Sequence, residues 1–149
     1  MKRYFAYGMN LDPSYMEGMT RIGPARLYGW RLDFRCFAVV EEAAPEEYVE
    51  GALFELTDDQ LERLDYREGY PRMYSRQELT VQEPHQESTA LVYYPTGLAS
   101  RHGDGIEYVP PGPGYLDIIE EGYRYWQLPP QKLNEALARC DYNPNDWRI

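Results

Sequence analysis

Cysteine is scarce in this chain, with two in 149 residues, and histidine is equally so. Cys36 and Cys140 stand far apart, so no disulfide framework is expected. Both read as free thiols packed as small hydrophobes, the state of a cytoplasmic protein. His85 sits in the polar segment EPHQES and His102 in RHGDG. Neither has partners at metal-ligand spacing, so they read as surface histidines and no metal site is expected. A secretory leader and an apolar run long enough to span a bilayer are both lacking, so no membrane partner is expected. Basic residues are few, 15 against 25 acidic ones, for a formal net charge of −10. That surface repels polyanions, which argues against nucleic acid and anionic membranes as partners. An anionic substrate has to be held by local groups instead.

What the chain does have is tyrosine: 15, against 4 phenylalanines and 3 tryptophans, within a hydrophobic fraction of 43%. This composition is far from disorder, and the length suits one domain over residues 1–149 with a core that needs no staples. Neither an internal repeat nor a linker is visible. Tyrosines fill pleated surfaces in small β-rich domains and also wall polar pockets.

The stretch YFAYGMNL at 4–11 organises the rest. Tyr4 to Tyr7 read as a buried strand that runs into a turn where Gly8 and Asn10 tolerate positive φ. Such a turn either supports the core or converges its backbone N–H groups into a concavity for a carboxylate or phosphate. Asp12 as N-cap and Pro13 at the first helical position start a short helical turn, which Ile22-Gly23-Pro24 breaks. Residues 25–34 alternate as a strand with Gly29 as a bulge, and Arg26, Arg31 and Arg35 form its wet face. The glutamate-rich segment 41–50 reads as a solvated loop leading into an apolar strand at 49–56. Thr57 and Gln60 then form a capping box with Asp58 and Asp59 in the first turn. Leu56 and Leu61 stand as a hydrophobic staple, and the helix stops between Asp65 and Gly69. Glu68 therefore lies at a helix exit. Strands at about 74–81 and 88–94 make an antiparallel hairpin, and 98–108 reads as loop. The stiff PPGPGY bend at 110–115 delivers Tyr115 to the head of a helix carrying Ile118, Ile119, Gly122, Tyr123 and Trp126. A last helix from Pro130 shows Leu133, Ala136, Leu137 and Cys140 on one face.

Taken in register, YFAYGMNL, the Arg26-Leu27 to Leu32-Asp33-Phe34 strand, Gly51 to Leu56, LDYREG at 64–69 with Met73-Tyr74, and PPGPGY resemble the γ-glutamylcyclotransferase family, which includes the AIG2-like proteins and γ-glutamylamine cyclotransferases. The resemblance implies an α+β fold, a small mixed β-barrel flanked by a few helices, with a pocket at one side. It implies an enzyme that closes 5-oxoproline by attack of a γ-glutamyl substrate's α-amine on its own γ-carbonyl, releasing an amine or amino acid. The family's catalytic glutamate falls on Glu68. Its substrate-binding positions fall on Tyr7, Gly8, Met9, Asn10 and Leu11 and on the pocket tyrosines Tyr74 and Tyr115. The family reads YGSNL where this chain has YGMNL, so Met9 replaces a serine hydroxyl while the backbone donors remain. No cofactor and no metal are implied, only a small-molecule γ-glutamyl substrate. The acidic surface mildly favours a cationic leaving group. A second reading keeps the pocket as a non-catalytic module that binds a small carboxylate or a peptide end.

Overall fold

The computed structural model describes residues 1–96 and 108–147 of the chain. Of the 98–108 stretch read as loop, only Tyr108 falls among them, and His102 does not. Strand β1 (Lys2–Ala6) is buried on both sides: Tyr4 and Phe5 point to opposite faces and are 5% and 0% exposed. It pairs antiparallel with β5 (Tyr48–Leu56), Tyr4 opposite Phe54, and parallel with β7 (Glu87–Pro95), Tyr4 opposite Leu91. On its other edge β5 takes β2 (Thr20–Tyr28). Arg26 of β2 meets Gln82 of β6 (Tyr74–Gln82), and β6 and β7 form the expected hairpin. The order β1-β5-β2-β6-β7 closes into a mixed barrel. A separate two-stranded sheet, β3 (Trp30–Arg35) with β4 (Phe37–Glu42), packs β4 against β7.

Among the described residues, three α-helices flank the barrel, completing the α+β architecture. Helix α1 (Asp58–Glu68) begins with the capping box: Thr57 accepts from the Gln60 N–H, and the Gln60 side chain accepts from the Thr57 N–H. Leu56, Leu61 and Leu64 are buried beneath it. A cap of this kind contributes about 1 kcal/mol. Thr57→Ala is therefore expected to lower the unfolding free energy by that amount, seen in urea titration as a lower midpoint at an unchanged m-value. Helix α2 (Pro113–Trp126) packs against the turn that follows β1, and α3 (Gln131–Arg139) packs on β3.

Several expectations need correction. Residues 25–34 are not one strand, because Gly29 adopts φ +84° and turns the chain from the barrel into the second sheet. Ile22-Gly23-Pro24 lies inside β2, where a register shift between Arg21 and Gly23 absorbs the break. The 41–50 segment is loop only in its middle. Glu41 lies within β4 in an ion pair with Arg35, and Glu50 is buried in β5 against Arg26 at 2.7 Å. Nor are Arg31 and Arg35 a wet face. Arg31 and Arg139 both reach the fully buried Asp33, at 2.9 and 2.7 Å, which straps α3 to β3. Cys140 is buried, but Cys36 is exposed at φ +68° where β3 turns into β4.

Candidate active site

Beyond β1 the chain folds into a short 3-10 turn, Met9–Leu11, in which the Leu11 N–H donates to the Gly8 carbonyl at 3.0 Å. Leu11 is fully buried and its carbonyl accepts the Trp126 indole N–H at 2.8 Å, so α2 clamps the turn from behind. Leu11 thus belongs to the support and does not line the cavity in front of the turn. Gly8, Met9 and Asn10 do line it, and their N–H groups have no backbone partner among the described residues. A Cβ on Gly8 would lie 3.2 Å from Ala38 Cβ and 3.4 Å from the Tyr115 hydroxyl. Glycine keeps that corner open.

The cavity has a volume of about 390 Å³. Glu68 reaches it as the last residue of α1, just before Gly69 ends the helix in the left-handed conformation at φ +69°. Asn10 joins the two walls. Its amide nitrogen donates to the Tyr4 hydroxyl at 3.1 Å and faces Glu68 Oε1 at 3.4 Å, while its oxygen accepts from Arg67 Nη2 at 2.9 Å. Burial raises the pKa of Glu68 above the ordinary carboxylate value, with the Arg67 charge and the Asn10 hydrogen bond only partly offsetting the desolvation.

Tyrosines form much of the remaining wall. Tyr7 donates to the Tyr93 carbonyl at 2.7 Å. Tyr115, in the first turn of α2, accepts the Ala38 N–H at 3.1 Å, which leaves its own proton directed elsewhere. Burial, helped by the Glu68 charge, pushes the Tyr115 phenol up to about 12 and those of Tyr4, Tyr7 and Tyr74 higher still. All four are neutral hydroxyl donors at pH 7. The structure therefore gathers Tyr7, Gly8, Met9, Asn10, Glu68, Tyr74 and Tyr115 around one cavity.

It also adds residues that sequence reasoning passed over. Tyr4 was read only as strand, although its place two residues before Ala6 on one pleat puts it beside Asn10. Arg67 precedes Glu68 and orients Asn10. Tyr93 arrives from the far hairpin with its hydroxyl on Asp65 at 2.5 Å. Phe37 comes from β4, a strand that sequence reasoning did not assign. Neither of these last two carries a local signal.

The family model for γ-glutamyl cyclotransferase, AIG2-like, matches residues 4–112. Solved structures share the fold. One described as a γ-glutamyl cyclotransferase superposes with a TM-score of 0.79 at 26% identity, covering 99% of this chain and 91% of that one. YkqA from Bacillus subtilis matches at 20% identity and TM-score 0.76, over 96% of this chain and 55% of its own. A yeast γ-glutamyl cyclotransferase specific to glutathione shares the fold at 14% identity and TM-score 0.67, covering 99% and 96%. A sequence search of curated proteins finds no significant match.

Proposed function

From the premise that the chain belongs to the γ-glutamyl cyclotransferase, AIG2-like family, we propose that it converts a γ-glutamyl compound to 5-oxoproline with release of the γ-linked amine or amino acid. One observation carries this reading: the half-buried Glu68 carboxylate and the Gly8–Asn10 turn line one cavity, bridged by the Asn10 amide. The substrate's α-carboxylate sits on the N–H groups of Gly8, Met9 and Asn10, as an anion does in a backbone nest. The walls fold the chain back so that its α-nitrogen meets its own γ-carbonyl. Holding such a near-attack geometry is worth up to about 7–11 kcal/mol.

The α-nitrogen enters as an ammonium and has no lone pair until a base removes a proton. Glu68 takes it, helped by a pKa raised toward the working pH. The new C–N bond closes the five-membered ring, and the γ-oxygen gains negative charge facing tyrosine hydroxyls. Tyr115 donates a hydrogen bond to it and keeps its proton, since its oxygen already accepts the Ala38 N–H. Collapse breaks the bond to the leaving nitrogen. The two protons lost by the α-nitrogen pass by way of Glu68 to that nitrogen, which departs as an ammonium; no water is consumed.

The test is release of 5-oxoproline from a panel of γ-glutamyl amino acids and amides, followed by chromatography. Turnover supports the reading, and tight binding without turnover favours the non-catalytic module. The acid limb of kcat/KM is expected to rise with pH through an inflection above the ordinary glutamate value of about 4.3, because the working form of Glu68 is the deprotonated one and burial delays its appearance. An inflection at or below that value would remove Glu68 from the base role.

A further inference from the structure

The inner part of the cavity is polar, but its mouth is not. Three of its lining residues are unusually exposed for their type: Phe37 at 59%, Met73 at 57% and Tyr66 at 89%. They come from three separate places, the start of β4, the residue before β6 and the last turn of α1. Phe37 also stands edge-on to Tyr115, with ring centroids 5.4 Å apart, so the apolar rim is continuous with the wall behind it. Scattered exposed apolar residues need no explanation, but several around one cavity mark a contact surface.

Charge is scarce at this opening. Among the described residues, Arg67 and Glu68 are the only charged side chains lining the cavity. Arg67 is already engaged, Nη1 with the Tyr15 carbonyl at 3.1 Å and Nη2 with Asn10 Oδ1 at 2.9 Å. A leaving group that ended in a carboxylate would exchange water for phenyl, thioether and phenol surface with no free cation among the described lining residues to receive it. One that ended in an ammonium would meet Glu68 as the sole anionic partner in the cavity among the described residues, and Glu68 faces inward beside Asn10. An uncharged apolar body covers Phe37, Met73 and Tyr66 at no such cost.

Resting on the cyclotransferase reading, we infer that the mouth selects γ-glutamyl amides whose departing amine carries an uncharged hydrophobic body, such as an arylalkylamine. The glutamyl half occupies the polar interior, and the amine substituent lies against Phe37 and Met73. Selection then acts on ground-state and transition-state binding alike, so it shows chiefly in KM.

The experiment compares three substrates: γ-glutamyl methylamide, γ-glutamyl phenethylamide, and the conjugate of γ-glutamate with the side-chain amine of lysine. The phenethylamide is expected to exceed the methylamide by about tenfold or more in kcat/KM, with the lysine conjugate below the phenethylamide. Phe37→Ser and Met73→Ser, both at exposed positions, should each shrink that ratio. Binding of the same three compounds to Glu68→Gln by calorimetry provides a readout independent of chemistry. An equal kcat/KM for methylamide and phenethylamide, or a preference for the lysine conjugate, overturns the apolar mouth while leaving the reaction standing. The expected binding order without 5-oxoproline from the parent overturns the reaction but supports the mouth. Absence of both turnover and graded binding overturns both.

Discussion

Glu68→Gln is expected to lower kcat for 5-oxoproline release by about 10²- to 10⁴-fold, the usual contribution of a positioned acid–base group, and to leave the protein at least as stable. The loss corresponds to about 3–5 kcal/mol of barrier. It falls on kcat because glutamine keeps the size and the acceptor oxygen that faces Asn10 but cannot take the α-ammonium proton. Substrate folding by the cavity walls remains, so the rate should stay above that of the free compound in water. The stability half of the expectation follows from the direction of the pKa shift. Burial raises the Glu68 pKa in the folded state, so the folded protein prefers the carboxyl protonated. The stability this contributes is fully present below the unfolded pKa and is lost as pH rises through the folded one. At neutral pH the parent thus holds a charged group in a site that disfavours charge, and the neutral amide removes that cost. Thermal melts at pH 7 should place the variant level with or above the parent, and the gap should close toward pH 4. A variant with kcat within about threefold of the parent would take Glu68 out of the chemistry. One that melts markedly lower at pH 7 would show that the carboxylate supports the fold.

Gly122→Ala is expected to damage stability and substrate binding together. A Cβ on Gly122 would stand 2.4 Å from Leu11 Cβ, 2.8 Å from the Leu11 carbonyl carbon and 3.0 Å from the Asp12 nitrogen. Two of those three atoms are backbone, so no rotamer change relieves the contact. Either α2 or the Met9–Leu11 turn has to move. Overpacking of this kind costs about 1–3 kcal/mol, which for a chain of this size lowers the melting temperature by several degrees, roughly 3 °C per kcal/mol. The same displacement strains the Trp126 hydrogen bond to the Leu11 carbonyl and tilts the N–H groups of Met9 and Asn10. KM should therefore rise in step with the loss of stability. Gly114→Ala supplies the control. It lies in the same helix with nothing within 4 Å of its added methyl, and alanine's better helix propensity should stabilise by up to about 1 kcal/mol with KM unchanged. If both variants behave alike, close approach of α2 to the turn is not what holds the turn in place.

Legibility followed the range of the interactions. Helix α1 was readable at its start and, to within a few residues, at its stop because both are local chemistry: Thr57 and Gln60 are three apart, and Gly69 ends the helix with a backbone conformation other residues resist. The β6–β7 hairpin and helices α2 and α3 were legible for the same reason. The β3–β4 sheet was not. Glu41 looked like part of a solvated acidic run because its partners, Arg35 and the Tyr108 hydroxyl at 2.7 Å, lie across a strand pair and 67 residues away. The pairing itself is a tight hairpin turned at Cys36, a residue that does not announce its positive φ, and the partners that bury its charges, Tyr108 and Arg139, lie 67 and 106 residues from Glu41 and Asp33. Phe37 and the apolar mouth were hidden with that sheet.

Local pattern on its own determined the capped helix and its exit at Glu68 and the glycine-asparagine turn after β1, since each depends on residues within a few positions of one another, while the barrel-with-helices class was implied by the family resemblance of several motifs in register. Only the tertiary structure decided that Asn10 bridges that turn to Glu68, that Leu11 faces Trp126 and not the cavity, that Tyr4 and Tyr93 join the wall, and that Phe37, Met73 and Tyr66 stand exposed at its mouth. Those are contacts between segments about 60 to more than 100 residues apart, and their distances are set by barrel closure and by how closely α2 approaches at Gly122.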